Sequence, residues 1–323
     1  MSVDIVYELK NIDDELIAEL NRLNSDFWDF KNINPRNSIH GIHSYPAVMI
    51  YPISRNIIGT IQKYQKPKVL LDPFMGSGTV LVEGIISGLE EIYGTDLNPL
   101  AQFISKVKTV CIPDSYLEKN MEHLKTNICK KYEEMEYFLI DIYNYIEDKG
   151  LDITSSRYKK DDWGNHAIEI LSEYFKINNK EISFCKFEGI GFWFVPNAII
   201  ELQIIKDEIM KITDKDIRNF FLIAFSETIR IVSNRRNGEF KMYRMPVSKI
   251  KEYRPNVKEK FLEILNKNCK LMNELYYKYS SKFDESIVHI LNEDARILKS
   301  VPDNTIDLVI TSPPYGDSKT TVA

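Results

Sequence analysis

The sequence predicts an α/β protein: a doubly wound parallel sheet of about four strands, interrupted by a large, mainly helical insert. Three observations carry this expectation. Short apolar runs ending in Gly or acidic turn chemistry alternate with amphipathic stretches. Two such units lie close together, over residues 68–99. Two more occur only after about 190 residues of mostly helical pattern.

Composition sets the outer limits. The chain has 323 residues, 44% hydrophobic and 28% charged, enough for two domains of ordinary globular character. No apolar run approaches the ~18 residues of a membrane span, and the opening MSVDIVYELKNIDDE is too acidic for a secretory leader, so a cytoplasmic protein is expected. Cys111, Cys129, Cys185 and Cys269 are scattered without a CxxC or Cys/His cluster, which predicts free thiols and no metal site. The net charge of −5 excludes a polycation, so any grip on nucleic acid must be local.

The elements follow in order. KVLLDPFMGSGT (68–79) reads as a buried strand and a glycine loop, and VLVEGIISGL reads as the helix after it. EIYGTDLNP (91–99) is a second strand that closes on an acid and a Pro turn. The insert opens with the long amphipathic stretch 116–148, continues with a helix begun by Pro196 and the apolar helix 216–233, and closes with another long helix from Asn256. SIVHILNEDAR (286–296) and TIDLVITSPPY (305–315) supply the third and fourth strands. The division expected is therefore 1–111 for the first part of the sheet domain, 112–285 for the insert and 286–323 for the remaining strands. A crossover normally needs a few dozen residues at most, so the insert is a domain of its own.

The glycine loop excludes two common ligands. After Gly76 and Gly78 come Thr79, Val80 and Leu81, so the third Gly of a dinucleotide fingerprint is missing, as is the Gly-Lys-Ser/Thr of a phosphate loop. A loop that brings backbone close at Gly76 and Gly78 before a helix N-terminus suits a small carboxylate. Asp96 ends the second strand, placed to accept from ribose hydroxyls. Asp294 ends the third, placed to accept from an adenine amino group. A carboxylate, a ribose and an adenine together describe S-adenosylmethionine. In SPPY, consecutive prolines remove N–H donors and leave a carbonyl free to point into the site beside the Ser312 hydroxyl. Two acceptors on one exocyclic NH₂ localise its lone pair for attack on a methyl group, and Tyr315 offers a face for a flipped base.

These motifs resemble those of the DNA amino-methyltransferases that make N4-methylcytosine or N6-methyladenine. DPFMGSGT resembles the family's cofactor motif, GTDLNP its second-strand motif, EDAR its third-strand motif and TSPPY its catalytic motif, and HSYPA (43–47) resembles the segment that closes over the cofactor's methionine part. The resemblance implies a Rossmann-like S-adenosylmethionine-dependent methyltransferase sheet. It implies cofactor contacts at His43, Tyr45, Asp72, Phe74, Gly76, Gly78, Thr79, Asp96 and Asp294, and catalysis by Ser312, Pro313, Pro314 and Tyr315. Motif order is similar to the alpha type, with target recognition in the insert and double-stranded DNA as partner. Ser in the catalytic motif points to cytosine N4 in preference to adenine N6. C5 chemistry is excluded, because none of the four cysteines follows a proline. An RNA guanine-N2 enzyme and a non-catalytic cofactor- and DNA-binding subunit are the competing readings.

Between Arg230 and Lys260 stand ten Lys/Arg against three Glu, a local net of +7. A solvated loop would look the same. Within the resemblance the segment becomes a phosphate-gripping surface, with Arg230, Arg235, Arg236, Lys241 and Arg244 as candidate contacts. The family's sheet has seven strands and four are legible here. The sequence therefore leads to the expectation of a split or truncated enzyme, the modification part of a restriction–modification pair, whose remaining strands come from a second polypeptide.

Overall fold

The computed structural model describes residues 13–23, 26–46, 48–154, 163–236 and 243–312. The chain divides into two compact units, Met1–Ile112 with Leu271–Ala323, and Pro113–Lys270.

The first unit is built on a parallel sheet. Its strands are β1 (Val69–Asp72), β2 (Glu91–Thr95), β3 (Ile287–Leu291) and β4 (Leu308–Val309), in the order β3-β2-β1-β4. Leu70 lies opposite Ile92 on one side and Leu308 on the other, so β1 is central and buried, which is why it reads as an unbroken apolar run. β4 pairs over only two residues, less than its apolar run suggested. Its register is secured by Asp307, whose Oδ2 accepts from the Lys68 and Val69 amides at 2.8 and 3.0 Å, and by the Ile310 amide on Leu71 O at 3.1 Å. Among the described residues β4 has β1 as its sheet neighbour, and Val309 is 55% exposed.

Around the sheet stand a helix over residues 13–21 (α1), two 3-10 turns (Pro35–Asn37 and Ile39–Gly41), α2 (Tyr51–Ile61), α3 (Thr79–Ile86) and α4 (Pro99–Lys108). Ile58, Leu70, Val80, Leu81, Ile85, Ile92 and Ile310 form the core. A Cβ on Gly84 would come within 2.7 Å of a Leu70 methyl. Gly84 thus supplies the close helix–strand approach that the missing third Gly of a dinucleotide loop would otherwise give.

The second unit is helical among its described residues: α5 (Asp114–Asp148), α6 (Trp163–Ile177), α7 (Ile190–Trp193), α8 (Pro196–Met210), α9 (Lys215–Val232), α10 (Val247–Glu252) and the first part of α11 (Val257–Glu285). The 35 residues of α5 span roughly 50 Å. α8 packs against both α5 and α9 and is buried on nearly every side, which accounts for its run of isoleucines. Pro196 occupies its first turn, where the missing N–H costs nothing, and Asp214 caps α9 by accepting from the Asp216 and Ile217 amides. Phe220 and Phe221 are fully buried, each contributing about 1.5–3 kcal/mol by removal from water.

The boundary expected at residue 285 coincides with the end of α11, whereas the second unit ends at Lys270. Leu271 and Leu275 line a small cavity with His40, Tyr51 and Arg55, and Phe283 packs on the sheet core, so the last turns of α11 count with the sheet.

Candidate active site at the strand ends

In open parallel sheets, ligands bind outside the carboxyl ends of the strands. Here the ends of β1, β2, β3 and β4 carry Asp72, Asp96, Asp294 and Ser312 in turn.

β1 runs into the glycine loop. Asp72 is 2% exposed and its Oδ1 accepts from the Phe74 amide at 3.1 Å, a turn that sends Phe74 outward, 42% exposed. Burial raises the Asp72 carboxyl to about 6. Thr311 and the Phe74 amide oppose the shift, and the charge of Asp96 adds to it. Gly78 sits at φ +73°, and a Cβ there would meet Ser105 Oγ at 2.7 Å. No other residue type joins this turn to α3 without strain or collision. Thr79 is buried as the first residue of α3.

The two acids at the ends of β2 and β3 stand differently. Asp96 faces the loop: its Oδ2 accepts from the Gly76 amide at 3.1 Å and its Oδ1 from the Asn98 amide at 2.8 Å. A carboxylate has about four acceptor positions, so hydroxyl groups of a ligand can still bind. Asp294 is held by Arg296 through its backbone amide and a two-nitrogen fork at 2.5–3.1 Å, which keeps its carboxyl at about 2. Arg296, two residues on in EDAR and not singled out among the expected site residues, therefore fixes the orientation of the Asp294 carboxylate.

His43 is 8% exposed. The Tyr45 ring lies 3.5 Å from where a Gly76 Cβ would stand, and its hydroxyl accepts from Asn98 Nδ2 at 3.4 Å. Burial first, and then the charge of Asp96, raise the Tyr45 phenol above its ordinary value. The HSYPA segment is therefore brought to the glycine loop by Tyr45. Ser312 follows Thr311 at the end of β4, next to β1 and Asp72. Pro313, Pro314 and Tyr315 lie outside the described residues.

Two further residues, unremarked in the sequence, secure the loop. Ser105 Oγ donates to Gly76 O at 3.0 Å, and the buried Lys108 Nζ donates to Ser77 O at 2.7 Å. Ser105 and Lys108 are three apart on α4 and share a face. A serine and a lysine on the apolar side of the helix after an acidic strand were the available signal. The arrangement fits a zwitterionic nucleoside: backbone amides and a helix start for a carboxylate, an accepting Asp96 for ribose and Phe74 as an exposed apolar face.

In the second unit the expected DNA contacts are unequal. Arg230 is forked onto Glu227 at 2.5 and 2.9 Å. Arg235 and Arg244 pair as an antiparallel bridge, and the Arg236 amide donates to Tyr243 O. The Arg244 guanidinium lies over the Phe192 ring at 4.1 Å and donates to Thr154 O. Arg236 and Tyr243 are exposed, and Lys241 lies outside the described residues.

A parallel sheet of this order, a glycine loop after β1, an acid after β2 and a helical insert before β3 define the fold of an S-adenosylmethionine-dependent methyltransferase. The comparisons agree. The chain is 38% identical over 322 residues to the Type II methyltransferase M.MvaI of Kocuria varians, covering 98% of this chain and 62% of that protein. It is 24% identical to the Type II methyltransferase M.MjaII of Methanocaldococcus jannaschii, covering 86% of this chain and 59% of that one. It is 25% identical to the Type II methyltransferase M.BsoBI of Geobacillus stearothermophilus, covering 87% and 50%. All three relatives carry the name Type II methyltransferase. The chain spans half to about three-fifths of the length of these relatives. No protein-family profile and no solved structure matches it.

Proposed function

We propose that this chain carries the cofactor site and target-reading domain of a site-specific DNA methyltransferase of a restriction–modification system, which transfers a methyl group from S-adenosylmethionine to cytosine N4 in double-stranded DNA. The observation that carries the reading is the convergence at one sheet end of the braced glycine loop, Asp96 and Ser312. S-adenosylmethionine, when bound, supplies an electrophilic methyl group. The Ser77 amide, open to close approach between Gly76 and Gly78, and the start of α3 hold its carboxylate end, Asp96 orients its ribose, and Tyr45 screens it from water.

Ser312 accepts a hydrogen bond from the exocyclic amine of a base turned out of the duplex, with Pro313, Pro314 and Tyr315 assigned to the same target by motif. Holding the amine in place and localising its lone pair is positioning with electrostatic assistance, and it needs no nucleophile on the protein. In the second unit, Arg236 is a phosphate contact, while Arg244 and Arg230 hold the scaffold that presents it. The exposed β4 flank is covered by further strands in the active enzyme, contributed by the rest of the same polypeptide or by a second one.

Nucleoside mass spectrometry of DNA treated with the protein and S-adenosylmethionine tests the chemistry. N4-methylcytosine is expected. N6-methyladenine overturns the base assignment, and methylated guanosine in tRNA with untouched DNA overturns the substrate class. Full activity from a stable monomer of this chain alone overturns the need for further strands.

A further inference from the structure

Beneath the glycine loop lies a set of buried titratable groups that methyl transfer does not directly use. Lys108 is 1% exposed at the end of α4, Glu83 is fully buried in α3, and His40 precedes them on a 3-10 turn. Glu83 accepts from Arg55 Nε at 2.6 Å and meets His40 Nε2 at 2.8 Å, and Arg55 reaches in from α2. Burial lowers the Lys108 ammonium to about 7, with Glu83 opposing the shift. Burial and then the charge of Lys108 lower His40 to about 4. Burying an ammonium is costly, and among the described residues its hydrogen bond goes to the loop carbonyl of Ser77.

That hydrogen bond has a geometric result. In a trans peptide the C=O and N–H point in opposite directions, and the described chain contains no cis bond. With Gly76 O tied to Ser105, the Ser77 amide is turned to the opposite face of the loop, away from α4. With Ser77 O tied to Lys108, the next peptide is fixed as well, and its amide closes the turn on Met75 O at 2.8 Å. Both peptides of the loop tip are thus oriented from below by one face of α4.

We propose that Lys108, assisted by Ser105, is a positioning residue for the methyl donor: together they fix the Gly76–Ser77–Gly78 turn, whose Gly76 and Gly78 amides are taken by Asp96 and Met75 O, so that the Ser77 amide meets the carboxylate of the donor's amino-acid part. The inference rests on the cofactor reading above. Its test measures S-adenosylmethionine and 5′-deoxy-5′-methylthioadenosine, which lacks the amino-acid part, by titration calorimetry on the wild-type chain, Lys108→Met and Ser105→Ala.

Lys108→Met is expected to weaken S-adenosylmethionine at least tenfold while leaving methylthioadenosine within about twofold, and Lys108→Arg to recover part of the loss. Ser105→Ala, which keeps the buried charges intact, gives the same contrast at about threefold and serves if Lys108→Met does not fold. Equal weakening of both ligands reveals general loosening and overturns the proposal, as does unchanged affinity for both. A wild-type chain that binds methylthioadenosine and S-adenosylmethionine equally also overturns it. Failure of the wild type to bind either ligand overturns the cofactor reading, and this inference with it.

Discussion

The glycine loop and the basic segment both looked like binding surfaces in the sequence, and they are built in opposite ways. At the loop, the groups offered to a ligand are mostly backbone, and charged side chains are spent underneath, on Ser77 O and Glu83. In the segment, the charges themselves are the prospective contacts, yet Arg230 is forked onto Glu227, Arg244 is stacked on Phe192, and Arg254 lies 3.6 Å over Tyr143. A count of cations therefore overstates the surface available to phosphates. Cations that hold the scaffold contribute by presenting others, and only their geometry distinguishes the two kinds.

The contrast can be tested, beginning where the effect is largest. Ser312→Ala is expected to lower the methylation rate 10²–10³-fold, about 3–4 kcal/mol of lost transition-state stabilisation, with unchanged cofactor affinity in calorimetry. Equal rates would detach Ser312 from the chemistry.

Asp72 gives the next effect. Its carboxyl stands near 6 when folded and near 3.8 when unfolded. The raised value favours the protonated folded state, so this contribution is complete below about pH 4 and lost as pH rises through 6. Asp72→Asn should remove up to about 3 kcal/mol of that pH dependence, seen as unfolding midpoints that differ between variant and wild type more at pH 7 than at pH 4. Parallel profiles would refute the burial argument.

Gly78→Ala places a methyl group on Ser105 at φ +73° and is expected to cost about 1–3 kcal/mol in denaturant unfolding, together with weaker cofactor binding. The smallest effects separate the arginines. Arg236→Ala should flatten the salt dependence of DNA binding by about one unit of log–log slope with unchanged stability, whereas Arg244→Ala should lower stability by about 1 kcal/mol. If Arg244→Ala flattens the slope and spares stability, the scaffold role passes to phosphate contact.

Much of the sheet unit was legible because its signals are local. The run VLLD before a glycine loop, and EIYGTD ending in an acid, announce strand, turn and site together. The insert's helices were legible from periodicity, with Pro196 at the start of α8 as expected. The bracing of the loop was not, since Lys108 belongs to a helix whose charges ordinarily face water, and only the packing of α4 under the loop buries it. Glu83 was hidden for the same reason: its partners, His40 and Arg55, are 43 and 28 residues away. Arg296 lay in view beside Asp294, but a motif read as a row of acceptors left out the donor within it. Strand length also escaped the pattern, because β4 is limited by its pairing with β1 and not by its run of apolar residues.

The order of the sheet has a consequence in time. β1 and β2 are neighbours in sequence and can pair as soon as both leave the ribosome, but their outer partners begin at Ile287 and Leu308. At about 5–20 residues per second, the intervening ~190 residues take on the order of 10–40 s to synthesise. Throughout that interval the nascent β1-α3-β2 unit carries two unpaired edges, each an invitation to mispairing. Early folding of the helical insert shortens the effective distance its ends must close, since a compact domain brings its two ends together where a random coil would not.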